Sequence, residues 1–180
     1  TPFKNDGAID FDAIPKIINH LIKGGVNYLV VLGTTAESSS LSKDEKKQLV
    51  AAIVECNAGL LPLVIGIGGN NTNQVIEDII SIDLSPFSAV LSITPYYNKP
   101  NQEGLYQHFR AIAQNSSLPV ILYNVPSRTG VNLTPETVLR LSKDFDEIVA
   151  IKEATGDFQQ AQTLLKICPD DFLILSSDDE

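Results

Sequence analysis

Short apolar runs alternate along this chain with longer stretches whose apolar residues recur every three or four positions. The runs cover 28–32, 63–67, 89–94, 120–123, 148–152 and 172–175. They are short, rich in Val, Ile and Leu, and bounded by Gly, Pro, Asn or Ser, so each predicts a strand. Between them lie helical patterns. Residues 11–23 place Ile14, Ile17, Ile18, Leu21 and Ile22 on one helix face. Ser42 with Glu45 three residues on reads as a capping box that starts a helix running to Asn57. Thr134-Pro135-Glu136 starts another, with proline in the first turn, where its missing N–H costs nothing.

The runs recur every ~30 residues, the length of a βα unit. Strands apolar on both faces and joined by helices imply a parallel sheet covered by helices, hence the α/β class. No linker or composition shift divides the chain, which predicts one domain over 1–180. An open doubly wound sheet and a (β/α)8 TIM barrel both fit this periodicity.

Reactive side chains follow the strands. Gly33-Thr34-Thr35-Ala36-Glu37-Ser38 comes after the first, Thr94-Pro95-Tyr96-Tyr97-Asn98-Lys99-Pro100 after the third, and Tyr123-Asn124-Val125-Pro126-Ser127-Arg128-Thr129-Gly130 after the fourth. The fifth ends in Lys152-Glu153-Ala154-Thr155-Gly156. In parallel α/β folds the C-terminal strand ends form the rim that carries the active site, so this placement favours a barrel. Each element has an ordinary alternative: Thr34 and Thr35 as a helix cap, Tyr96 and Tyr97 as core or interface aromatics, Arg128 in a surface ion pair. Gly68-Gly69-Asn70-Asn71 lacks the spacing of a phosphate loop and reads as a turn.

Lys152 is the residue of most chemical interest. A lysine withdrawn from water becomes a neutral amine able to attack a carbonyl. Attack on a ketone gives a carbinolamine and then an iminium, which lets a neighbouring C–H proton leave to form an enamine. Those proton transfers need groups that donate and accept. Tyr123 beside the amine supplies one, and Thr35 and Tyr97 extend the relay. The Gly33-Thr34-Thr35 turn suits a keto-acid carboxylate, and Arg128 suits the carboxylate of a second substrate.

Composition narrows the partners. The 180 residues carry a formal charge of −9 with 43% hydrophobic residues. An acidic surface disfavours nucleic acid and anionic membranes. No apolar run is long enough to span a bilayer. The opening Thr1-Pro2-Phe3-Lys4-Asn5 shows no signal segment, and its lack of Met implies that an N-terminal piece is missing. Cys56 and Cys168 read as reduced core thiols of a cytosolic protein. His20 and His108 read as ordinary helix residues, and no spacing suggests a metal.

The stretches quoted above, together with Gln102-Glu103-Gly104-Leu105-Tyr106-Gln107-His108-Phe109, closely resemble the pyruvate-dependent class I aldolase family that includes dihydrodipicolinate synthase and N-acetylneuraminate lyase. The resemblance covers the whole chain. It implies a (β/α)8 barrel, of which this chain carries about six βα units, strands 2 to 7, without the first strand and the C-terminal part. It implies a cytoplasmic homotetramer, a dimer of dimers. The implied reaction condenses pyruvate with L-aspartate 4-semialdehyde to 4-hydroxy-tetrahydrodipicolinate, in lysine and diaminopimelate biosynthesis. No cofactor is implied beyond the covalent imine between Lys152 and pyruvate. Lys152 is then the Schiff-base residue, with Tyr123, Thr35 and Tyr97 its proton relay. Tyr97 is expected at or across a dimer interface. Gly33, Thr34 and Thr35 hold pyruvate, and Arg128 grips the semialdehyde carboxylate. A sister lyase and an inactive fragment are the alternatives. Arg128 and the threonine pair favour the synthase.

Two residues depart from the family pattern. Ala36 and Ser177 stand where glycine is usual, and Ala36 is costly if its φ is positive. Ser38, Ser39, Lys43, Lys46, Asn70, Gln74 and Tyr96 match the family's site for inhibitory lysine. Gln74 in place of a carboxylate, with Lys43 and Lys46 nearby, implies weak or absent inhibition.

Overall fold

The computed structural model describes residues 1–177. Backbone contacts group these into two compact units, Thr1–Gly66 with Pro86–Ser88, and Ile67–Ser85 with the chain from Ala89 onward.

In the first unit, β1 (Leu29–Val31) pairs in parallel with β2 (Leu63–Gly66), and α1 (Ile14–Lys23) packs on α2 (Lys43–Asn57). The helical pattern predicted from residue 11 starts later. Residues Phe11–Ala13 form a single 3-10 turn, and Pro15 in the first turn of α1 suits its start at Ile14. The capping box forms as predicted: Ser42 Oγ accepts from the Glu45 N–H, and the Glu45 carboxylate accepts from the Ser42 N–H at 2.8 Å. Gly66 permits a close approach, since a Cβ there would lie 2.6 Å from the Leu32 carbonyl oxygen.

In the second unit, β3 (Ala89–Ile93), β4 (Val120–Asn124), β5 (Ile148–Glu153) and β6 (Leu173–Ser176) run in parallel in chain order. The helices are α3 (Thr72–Ser81), α4 (Gln102–Asn115), a single turn α5 (Pro126–Thr129), α6 (Pro135–Asp144) and α7 (Phe158–Ile167). Helix α4 packs against α3 and α6, and α6 against α7. Val90, Leu105, Phe109, Ile112, Leu122, Leu133, Leu141, Ile151 and Leu164 are wholly buried and form the core.

Strand boundaries move by at most one residue from those predicted; Tyr28 and Phe172, for example, lie outside β1 and β6. Not every strand is buried on both faces. Val30 in β1 and Leu173 in β6 are 41% and 59% exposed, whereas Leu29 and Val31 on either side of Val30 are buried. The cysteines also depart from expectation. Both are free, but each is half-buried rather than in the core.

His108 is an interior residue of α4, with Nδ1 2.8 Å from Thr72 Oγ1. Burial pushes its pKa down from 6.5 to about 4. The unfolded chain therefore takes up this proton first. The neutral imidazole's contribution is intact above pH 6.5 and is lost as pH falls toward about 4. Urea unfolding of the full-length protein at pH 7 and pH 5 should show the parent losing stability relative to His108→Gln on acidification. A pH-independent difference would refute this.

Candidate active site

The lysine end of the site is built by two neighbouring strands. Tyr123 and Lys152 are register partners in β4 and β5, and Asn124 pairs with Glu153 one step further. The register shifts between Val120 and Ile121, leaving Val149 as an extra residue in β5. Because side chains alternate along a strand, Tyr123 and Lys152 share one face. Lys152 Nζ sits 4.5 Å from the centre of the Tyr123 ring. Tyr123 is buried, while Lys152 is half-buried rather than enclosed.

Asn124 and Glu153 share the opposite face, toward the helices. The Glu153 carboxylate is buried and accepts hydrogen bonds from Asn124 Nδ2 (3.2 Å), Gln160 Nε2 (3.1 Å) and the Thr155 N–H (2.9 Å). Asn124 Oδ1 accepts from the Leu133 N–H at 3.0 Å. Asn132 bonds both amides: its Oδ1 accepts from Asn124 at 2.8 Å, and its Nδ2 donates to Gln160 at 2.8 Å. A buried carboxylate is tolerable only with its oxygens satisfied, and here the donors are neutral amides and a backbone N–H.

Arg128 projects from α5, which Pro126 starts and Gly130, at φ +72°, ends. Thr129 Oγ1 donates to the Val125 carbonyl and fixes this turn. Arg128 itself is exposed, and among the described residues no carboxylate pairs with it. The ion-pair alternative is therefore not realised. Lys99 lies alongside, its Cε 2.9 Å from where a Cβ of Gly130 would be, and the left-handed backbone at Gly130 favours glycine there.

Tyr97 follows β3 at φ +72° and is 88% exposed. A bulky side chain in left-handed backbone costs on the order of 1–3 kcal/mol, and such strain collects at functional sites. Tyr96 is also exposed, so neither tyrosine belongs to the core of its unit. The loop is tied by Asn98, whose Nδ2 donates to the Asn70 carbonyl at 3.1 Å. Gly68 to Asn71 is an irregular segment with a bend at Asn70, and Asn71 caps α3.

In the first unit, Gly33 is the cap residue of a 3-10 turn, Thr34–Ala36. Thr34 and Thr35 lie within that turn and are exposed, so neither is its cap. An apolar groove of about 330 Å3, lined by Ile17, Leu21, Val30 and Ile53, extends to Thr35. The left-handed residue of this segment is Glu37, at φ +55°, not Ala36. Ala36 thus carries no penalty on that account. Ser177 donates its N–H to the Glu153 carbonyl. Asp178 and Asp179, which follow it, lie outside the described residues. Among the described residues no cluster of His, Cys, Asp or Glu could hold a metal, and no helix is long and apolar enough to cross a membrane.

Sequence reasoning assigned no role to Asn124, Asn132, Glu153 or Gln160. A signal for two of them exists: an Asn and a Glu directly after the reactive Tyr and Lys fall on the opposite face, where a buried polar pair must find partners.

Similarity to known proteins follows the same residues. The model of the dihydrodipicolinate synthetase family matches residues 1–180. The 4-hydroxy-tetrahydrodipicolinate synthases of Flavobacterium psychrophilum and Bacillus subtilis are 60% and 47% identical to this chain, each over 99% of it, and the matches cover 61% and 62% of those proteins. The crystal structure of dihydrodipicolinate synthase from Thermotoga maritima superposes with a TM-score of 0.95 at 40% identity, over 99% of this chain and 61% of that one. The chain thus spans about three fifths of the length of its relatives, which are (β/α)8 barrels. With its full length matched, the chain belongs to the dihydrodipicolinate synthetase family.

Proposed function

We propose that the protein containing this chain condenses pyruvate with L-aspartate 4-semialdehyde to 4-hydroxy-tetrahydrodipicolinate through an imine on Lys152. The amine 4.5 Å from the Tyr123 ring, at paired strand ends, carries this reading. Lys152 attacks the keto carbon of pyruvate, and the carbinolamine loses water to give the iminium. A methyl proton then leaves, the iminium takes up the electron pair, and the enamine attacks the aldehyde. Tyr123 delivers and removes the protons, with Thr35 and Tyr97 extending the relay. Gly33, Thr34 and Thr35 hold the pyruvate carboxylate. No external cofactor enters this scheme. The assembly is a cytoplasmic homotetramer, and exposed Tyr96 and Tyr97 support an interface there.

The test is incubation of the full-length protein with pyruvate and borohydride, then peptide mapping. A reduced adduct on Lys152 is expected, and its absence rejects the scheme. Substrate choice rests on Arg128, exposed and without a carboxylate partner among the described residues. Arg128→Ala should lower kcat/KM for the semialdehyde by roughly 10- to 100-fold, the value of a charge-assisted contact, and leave pyruvate trapping unchanged. Parental kcat/KM in that variant would instead favour a sister lyase.

Free lysine should bind weakly. Gln74, whose amide donates to Asp78 at 3.1 Å, brings no anion for an ammonium group. Calorimetry of the full-length protein should find a dissociation constant no tighter than about a millimolar, each missing charge-assisted contact costing roughly ten- to hundredfold. Micromolar binding would overturn this expectation.

A further inference from the structure

We propose that Glu153 and Asn124 are positioning residues, a buried carboxylate–amide lock behind β4 and β5 that holds Tyr123 opposite Lys152. The inference rests on the imine chemistry proposed above and adds residues to it.

The lock holds a register that an irregularity earlier in the two strands sets. Below it, Val120 pairs with Ile148, but Ile121 pairs with Ala150, so β5 carries an extra residue. Without that shift Tyr123 would face Ile151, and Lys152 would face Asn124. A one-residue slip therefore separates the amine from the phenol. The Asn124–Glu153 hydrogen bond forms only in the observed register, directly behind the Tyr123–Lys152 pair.

Glu153 is also the only carboxylate in the core among the described residues. No salt bridge reaches it there. Apolar side chains of similar volume commonly serve stability as well as a buried polar group does, so a buried carboxyl group bonded only to neutral partners is better explained by what it specifies. Here it specifies register. Gln160 anchors the carboxylate to α7, and Leu133 anchors Asn124 to the segment after α5. Both strand ends are thereby held against the helix layer.

The test uses the full-length protein. Glu153→Gln replaces one acceptor oxygen with a donor facing other donors, and Asn124→Asp sets two carboxylates together. The double variant restores one donor–acceptor pair, with the new amide at 153 donating to the new carboxylate at 124. Each single variant should slow borohydride trapping of pyruvate by about tenfold or more, and the double variant should recover to within about threefold of the parent. A purely structural role predicts lower melting temperatures with an unchanged trapping rate per folded molecule, and that result overturns the proposal. So does a double variant no faster than the singles. A parent that traps no pyruvate rejects the catalytic reading alone. Competitive acetylation of Lys152 against exposed Lys43 then decides the positioning claim: a ratio identical in parent and single variants overturns it, and an altered ratio supports it. If the single variants fail to fold, Gln160→Met removes the donor to Glu153 and the acceptor for Asn132 while leaving Asn124 and Glu153 in place. A roughly threefold change in the same readouts supports the lock, and parental values overturn it.

Discussion

Lys152→Ala is expected to remove turnover and the borohydride-trapped pyruvate adduct together, with kcat falling on the order of 10^3-fold or more. The amine is the nucleophile of the proposed sequence. The change should leave the fold intact. Lys152 is half-buried, and its contact with the Tyr123 ring contributes only about 0.5–1 kcal/mol at an accessible site. Steady-state assay, mass mapping and thermal melting on one preparation check this. A variant that melts with the parent and retains more than about a tenth of its turnover would reject imine catalysis at this position.

Tyr123→Phe should be the next most damaging substitution, and it should damage differently. The ring is buried and packs against the lysine stem, and phenylalanine preserves both features. Only the hydroxyl is lost, and with it a donor and acceptor for the protons of carbinolamine dehydration and enamine formation. General acid–base groups contribute about 10^2- to 10^4-fold, so kcat should fall within that range. The adduct on Lys152 should still form, slowly, since the nucleophile is intact. Single-turnover trapping against steady-state kcat separates the two effects. A kcat within about tenfold of the parent would place the proton transfers elsewhere.

Much of this architecture could be read from periodicity. Buried strands such as β4 are uninterrupted apolar runs, and the Ser42–Glu45 capping box marks a helix start by local chemistry alone. The rim residues were legible because they follow the strands. What could not be read depends on contacts distant in sequence. The extra residue in β5 leaves no mark on an apolar run, yet it decides what Lys152 faces. Val30 and Leu173 look like core residues by type, yet both are exposed, on a face whose burial depends on contacts distant in sequence. The position of the left-handed residue, Glu37 rather than Ala36, is a backbone outcome that residue type does not determine. The buried amides were visible as letters, but their roles depend on a segment and a helix that meet them only in the folded chain.

Tyr97 carries a consequence for anyone re-engineering this protein. Its backbone is left-handed and its side chain almost fully exposed, so judged on folding alone glycine suits the position better. A thermostability screen without an activity readout would thus accept a change at this loop that removes the phenol of the proposed relay.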